Sequence, residues 1–173
     1  LAVHNVKKKN YGKYDVTEIV KVDCDSLDAS LQNLKINNLD YLKIDTQGAE
    51  LEILKGIGSY RPLVIKIEAH IFSMYKEVPS WNELLDHLYK LNYIVIDWKG
   101  IGSHATRIPA EIDMIFIPNF NNTAGKALIM SNEDKFVSLM LIFGQISLLK
   151  IISKKYNFKS SGEIDVLEDR FFN

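Results

Sequence analysis

The sequence predicts an α/β fold whose sheet is mostly parallel and closes on an antiparallel terminal hairpin. Three observations predict it. Short apolar runs alternate with stretches of helical periodicity between residues 17 and 98. The run "RPLVIKIEAHI", residues 61–71, is almost unbroken in its apolar character, as a central parallel strand covered on both faces must be. The last two strand-like runs are joined by "KGIGSHATRIPAE", rich in turn residues and without helical period, so they are most simply antiparallel neighbours.

In chain order, "TEIVKVD", 17–23, carries Ile19, Val20 and Val22 and reads as a strand ending at the turn signal "DCDS". Asp25 or Ser26 can cap the helix that follows, in which Leu27, Leu31 and Leu34 recur at i, i+4 and i+7. "INN" breaks it. "YLKID", 41–45, is a short strand, and after Gly48 the residues Leu51, Leu54 and Ile57 form a second helical stripe that stops at Gly58. Pro62 stands first in the central strand, where a missing N–H costs little. Ser80 and Glu83 then make a Ser-x-x-Glu capping box ahead of Leu84, Leu85, Leu88 and Leu91. "YIVIDW", 93–98, and "IDMIFI", 112–117, are the last two strands, and the whole is expected to carry helices on both faces.

Beyond Pro118, "NFNNTAG", 119–125, is expected to be a linker to a final helix over the apolar stretch "FVSLMLIFGQISLLKII", 136–152. The expected division is therefore a sheet domain over 1–120 and a helical extension over 121–173. Ser138, Gly144, Gln145, Ser147 and Lys150 interrupt that stretch, which falls short of the roughly twenty clean apolar residues of a membrane span. It suits a buried helix or one that joins a partner or a second copy, with a helix lying on a membrane surface as the lesser alternative.

Composition narrows the function classes. A chain of 173 residues with 47% apolar content can bury one proper core. Its net charge of −1 lacks the basic footprint of a nucleic-acid binder, and Lys7, Lys8 and Lys9 read as a solvated end. Cys24, the single cysteine, excludes an internal disulfide and a cysteine-built zinc site, which points to a reducing compartment such as the cytoplasm. The start, "LAVHNVKKKNYGKYD", lacks the apolar core of a signal peptide and does not begin on Met, as expected of a piece of a longer chain.

In sheets of this kind ligands sit at the carboxyl ends of the strands. Asp23 and Asp25, Asp45 with Thr46 and Gln47, Glu68 with His70, and Asp97 all fall at or just past such an end. Gly48, expected two or three residues into a helix, is costly there and needs a reason. Either a ligand approaches the helix N-terminus closely or the turn is simply tight. Asp45 is equally open between a ligand contact and a helix cap, and Glu50 complements the helix dipole. Glu68 and His70 alternate on one strand and so share a face, where Glu68 could orient the imidazole or the two could share a proton or a metal. His87 reads as solvated. No GxGxxG after a strand, GxxxxGK[ST], GxSxG or HExxH is present.

"DYLKIDTQGAELEILKGI", then "LVIKIEAH", "MYKEVPSWNELLDHLYKLNYIVID" and "EIDMIFIP", roughly residues 17–118, resembles the latter half of the FkbM family of S-adenosylmethionine-dependent methyltransferases. Lys43, Ile44, Asp45, Gly48, Glu50, Leu51, Leu54, Lys55 and Gly56, with Glu68, Tyr75 and Pro79 downstream, carry the resemblance. It implies a Rossmann-like methyltransferase sheet, incomplete at its N-terminus, whose fourth strand ends at Asp45 and whose fifth ends near Glu68. Asp45, Thr46, Gln47 and Gly48 would then meet the cofactor, and Asp45, Glu68 or His70 would serve as base for O-methylation of a sugar or polyketide-like hydroxyl. The family's glycine-rich turn and ribose-binding acidic residue precede the matched segment, so this chain alone is expected to bind the cofactor poorly. Two other classes stay open: a non-catalytic methyltransferase-like module, and a metal-dependent hydrolase or transferase built on Asp45, Glu68 and His70.

Overall fold

The computed structural model describes residues 21–71, 78–99 and 111–172. The chain divides into two compact units, Leu1–Ile117 and Pro118–Asn173. Residues 17–20 of the expected first strand, Lys7 to Lys9, His4, His104 and Tyr75 lie outside the described residues. Residues 21–26 are irregular and exposed, not the end of a strand.

The first unit begins with α1 (Leu27–Asn33), capped by the Ser26 hydroxyl, which accepts from the Ala29 N–H at 3.4 Å. Leu31 is buried, whereas Leu34 falls on the C-cap and is exposed, so the leucine stripe reaches the core for one turn only. Next come β1 (Tyr41–Ile44), α2 (Glu50–Lys55), β2 (Val64–His70), α3 (Trp81–Lys90), β3 (Tyr93–Lys99) and β4 (Glu111–Pro118). The predicted capping box starts α3: Glu83 Oε2 accepts from the Ser80 N–H at 2.8 Å and from its hydroxyl at 3.0 Å.

The strand order is β1-β2-β4-β3. β2 runs parallel to β1, with Ile44 beside Ile67, and antiparallel to β4, with Glu68 beside Asp113 and His70 beside Glu111. The sheet is therefore mixed, not mostly parallel. The last two strands are neighbours at one end of the sheet, and the final strand, β4, is the inner one. The physical reason is that β4 buries apolar side chains on both faces, Ile112, Met114 and Phe116 on one and Ile115 and Ile117 on the other. β3 buries only Tyr93 fully and ends exposed, which is the pattern of a sheet edge.

One face of β1, β2 and β4 makes the core. Ile44, Ile65, Ile67, Ala69, Ile112, Met114 and Phe116 pack with Leu54 of α2 and Leu84 and Leu88 of α3. Tyr93 closes this core, and its hydroxyl donates to the Pro62 carbonyl at 2.7 Å. Burial drives the phenol well above its usual range, so it stays a neutral donor.

The second unit holds α4 (Thr123–Met130), α5 (Glu133–Ile142), α6 (Ile146–Tyr156) and α7 (Ser161–Phe172). The segment expected to be a linker instead starts a helix, because Asn122 caps α4 by accepting from the Gly125 N–H at 2.7 Å. The apolar stretch 136–152 is two helices, not one. Gly144 takes φ 69, and the Gln145 N–H returns to the Met140 carbonyl at 2.8 Å, the left-handed helix ending that glycine favours. Phe136, Met140, Leu149 and Ile152 are buried, whereas Ile142 and Ile151 are exposed. Among the described residues no helix is long and apolar enough to cross a membrane.

Tyr93→Phe keeps the ring and removes the donor to Pro62. We expect a loss of about 1 kcal/mol of stability in urea unfolding, with the slope of the transition unchanged.

Candidate functional site

The chain leaves β1 at Ile44 and enters α2 at Glu50, and the turn between them is built around one carboxylate. Glu50 is 1% exposed, and its Oε1 accepts from the Thr46 N–H (3.1 Å), the Thr46 hydroxyl (3.0 Å) and the Gly48 N–H (3.0 Å). Three donors compensate a charge withdrawn from water. Sequence reasoning gave Glu50 only the helix dipole and so missed this role. The available signal was a glutamate closing a polar turn two residues after a glycine.

Gly48 precedes α2 instead of lying within it. Its φ of 125 follows Gln47 at φ 57, and a Cβ placed on it would lie 2.8 Å from Cγ2 of Val78. The glycine therefore answers to backbone conformation and to Val78. Nor does Asp45 cap the helix: its Oδ2 meets Lys43 Nζ at 2.7 Å, two residues back along the same face of β1.

The register then assembles a charged surface on the sheet face opposite the core. Because Ile44 pairs with Ile67 and Glu68 with Asp113, the side chains of Lys43 and Asp45, of Lys66, Glu68 and His70, and of Asp113 and Glu111 project from the same face. Lys66 Nζ meets Asp113 Oδ2 at 2.8 Å, and Gln47 Nε2 donates to Glu68 Oε2 at 2.6 Å. Asp45 is held below the usual carboxylate range, first by the hydrogen bond it accepts from Lys43 and next by one it accepts from the Glu68 carboxyl. Glu68 moves the other way, pushed up to about 7 by burial and by the charges of Glu111 and Asp45. The opposite shifts favour a proton on Glu68 over one on Asp45.

Of the sequence candidates, Asp45, Gln47 and Glu68 come together at the strand tips. Thr46 turns to Glu50. His70 is 2% exposed and stands one step further along β2, where its Nδ1 lies 3.5 Å from Glu111 Oε1. The expected orientation of His70 by Glu68 is thus replaced by a cross-strand partner, because side chains two apart on a strand lie further from each other than residues in register. Among the described residues no three His, Cys, Asp or Glu side chains are placed to hold a metal ion. Asp97 lies within β3, not past its end. His87, expected in solvent, is half-buried, with Nε2 enclosed and without a hydrogen-bond partner among the described residues. Lys43, Lys66, Glu111 and Asp113 belong to the cluster and were not singled out as site residues from sequence.

On the helix side of the turn, a groove runs from Gly48 past Leu51 and Val78. Its charged side chains are already engaged: Lys55 pairs with Glu52 at 2.7 Å, and Glu83 caps α3.

Compared with known proteins, the chain matches one family model, the methyltransferase FkbM domain, over residues 3–95. The match starts upstream of the segment that carries the resemblance and ends inside β3. No curated protein and no solved structure matches the chain.

Two outcomes follow from this geometry. Gly48→Ala forces a Cβ into Val78 at a positive φ, and we expect a loss of about 2 kcal/mol in chemical denaturation. Glu68 binds its proton more tightly in the folded chain than an ordinary carboxyl does, so its contribution to stability falls as pH rises from the ordinary range through about 7. Glu68→Gln should therefore gain stability relative to the parent between pH 5 and pH 8, read as the difference in melting temperature across that window.

Proposed function

Since the chain belongs to the FkbM methyltransferase family, we propose that it serves S-adenosylmethionine-dependent O-methylation of a small-molecule or glycan acceptor, such as a sugar or polyketide-like hydroxyl, with Glu68 as the base. The observation that carries this reading is the divided pair at the strand tips, Asp45 held ionised and Glu68 poised near 7. The donor set suits the cofactor's charge, because an anionic Asp45 at the tip of β1 favours a cation beside it. Asp45, Thr46, Gln47 and the Gly48 turn would hold the methionine end. When bound, S-adenosylmethionine supplies an electrophilic methyl group on a positively charged sulfonium.

The chain's residues have then to align a hydroxyl and take its proton. Asp45 is a poor base because Lys43 stabilises its charge. His70 is enclosed. Glu68 has the matched affinity: ionised above about 7, its carboxylate accepts the hydroxyl proton, while Gln47 fixes one of its oxygens. Lys43 keeps Asp45 charged, and Asp45 in turn keeps the resting proton on Glu68.

The test is methyl transfer from isotopically labelled S-adenosylmethionine to a panel of sugar and polyketide hydroxyls, using the protein translated from the whole gene. We expect kcat/KM to rise with pH through about 7, and Glu68→Gln to lose roughly a hundredfold or more in rate together with that limb. A Glu68→Gln enzyme with the parent's rate and profile removes Glu68 as the base. Absence of cofactor binding by calorimetry removes the reaction.

A further inference from the structure

We propose that Glu50 is a positioning residue which, by locking the Thr46–Gly48 turn, holds Gln47 in the left-handed conformation that carries its amide to Glu68. The inference deepens the proposed function and rests on it for the meaning of Glu68, but the linkage is geometric and can be read without any catalysis.

Gln47 sits at φ 57, a backbone region that a glutamine enters only when its surroundings fix it. It makes no hydrogen bond to Glu50. Its two neighbours do: the Thr46 N–H, the Thr46 hydroxyl and the Gly48 N–H all end on Glu50 Oε1, at 3.0 to 3.1 Å. Both flanks are thus tied to one buried oxygen. The residue between them points its side chain out, where Nε2 reaches Glu68 Oε2 at 2.6 Å. Removing the tie frees the turn to relax toward negative φ, which withdraws that amide.

The effect on Glu68 has a definite sign. The Gln47 amide donates to a carboxylate and so favours the ionised form; losing it raises the affinity of Glu68 for its proton. Deleting the negative charge of Glu50 through space would lower that affinity, because one anion fewer surrounds the site. In Glu50→Asp, which keeps the charge, a through-space effect leaves the Glu68 midpoint where it is, whereas loss of the lock raises it. Among the described residues the other charged or titratable groups facing Glu68 are Lys43 and Asp45 from the end of β1, Lys66 and His70 from β2 itself, and Asp113 and Glu111 from β4, and none of them changes in the variants below.

The experiment is a side-chain carboxyl carbon-13 NMR titration of Glu68 in the chain, in Gln47→Gly, in Glu50→Asp and in the double variant. Glycine accepts φ 57 without strain, and aspartate keeps the charge while withdrawing the carboxylate by one methylene. We expect the Glu68 midpoint to rise by roughly half a unit to one unit in each single variant, and no further in the double one. A midpoint that is unmoved or lowered in Glu50→Asp overturns the proposal, as do shifts that add in the double variant. Amide exchange in the parent gives a second reading independent of whether Glu50→Asp folds: the Thr46 and Gly48 N–H groups must be protected, and exchange at unprotected rates overturns the lock. Methyl transfer by the same proteins separates the two levels, since absent transfer with the expected titration shifts removes the proposed function alone.

Discussion

A single buried oxygen organises the end of β1. Glu50 is a charge taken out of water, and such a charge is tolerated only when donors replace the hydration it loses. The chain supplies them by bending back on itself, so the turn exists in its observed form because Glu50 must be satisfied, and Glu50 is satisfied because the turn has that form. Gly48 makes the bend possible and Val78 occupies the space its missing side chain leaves. The placement of Asp45 and Gln47 follows from that bend, as does the meeting of Gln47 with Glu68. A local solvation requirement thus becomes the geometry of a site.

β2 extends this logic to the sheet. Its odd positions, Ile65, Ile67 and Ala69, join the core with α2 and α3, while Lys66 and Glu68 stand among charges on the other face. The alternation of a strand separates a side that stabilises the fold from a side that can do chemistry. Across that second side the charges alternate: Lys43 then Asp45 on β1, Lys66 then Glu68 on β2. Each lysine finds a carboxylate, Asp45 for Lys43 and Asp113 for Lys66, and among the described residues Glu68 is left among anions with no lysine of its own in contact. Its raised proton affinity comes first from burial and then from the anions left around it by those pairings.

Period-two and period-3.6 patterns were enough to find β1 to β4, α2 and α3, because those patterns are imposed by burial on one face. The Ser80–Glu83 box was legible because it is local. Strand order was not, since it depends on which strand must hide both faces. The alternating apolar residues of "IDMIFIP" do record that need, and they place β4 inside the sheet once weighed against the half-exposed "YIVIDWK". Glu68 and His70 were recognisable as sharing a face, but Glu111 and Asp113 become their neighbours only through the β2–β4 register. Glu50 escaped because a first-turn glutamate that serves the helix dipole and one that anchors a turn have the same sequence signature.

The position of β4 also sets an order of assembly. β2 can pair with β1 soon after both are synthesised, since Tyr41 meets Val64 across a short helical connection. Its other edge waits for residues 111–116, which pair with residues 65–70 from far along the chain. Until they arrive, β2 presents on that side an open row of N–H and C=O groups, the kind of edge that recruits strands from other chains. The pairing that brings Glu111 and Asp113 beside His70 and Glu68 is thus also the contact that covers this edge, and pairings of such sequence separation form more slowly than local ones.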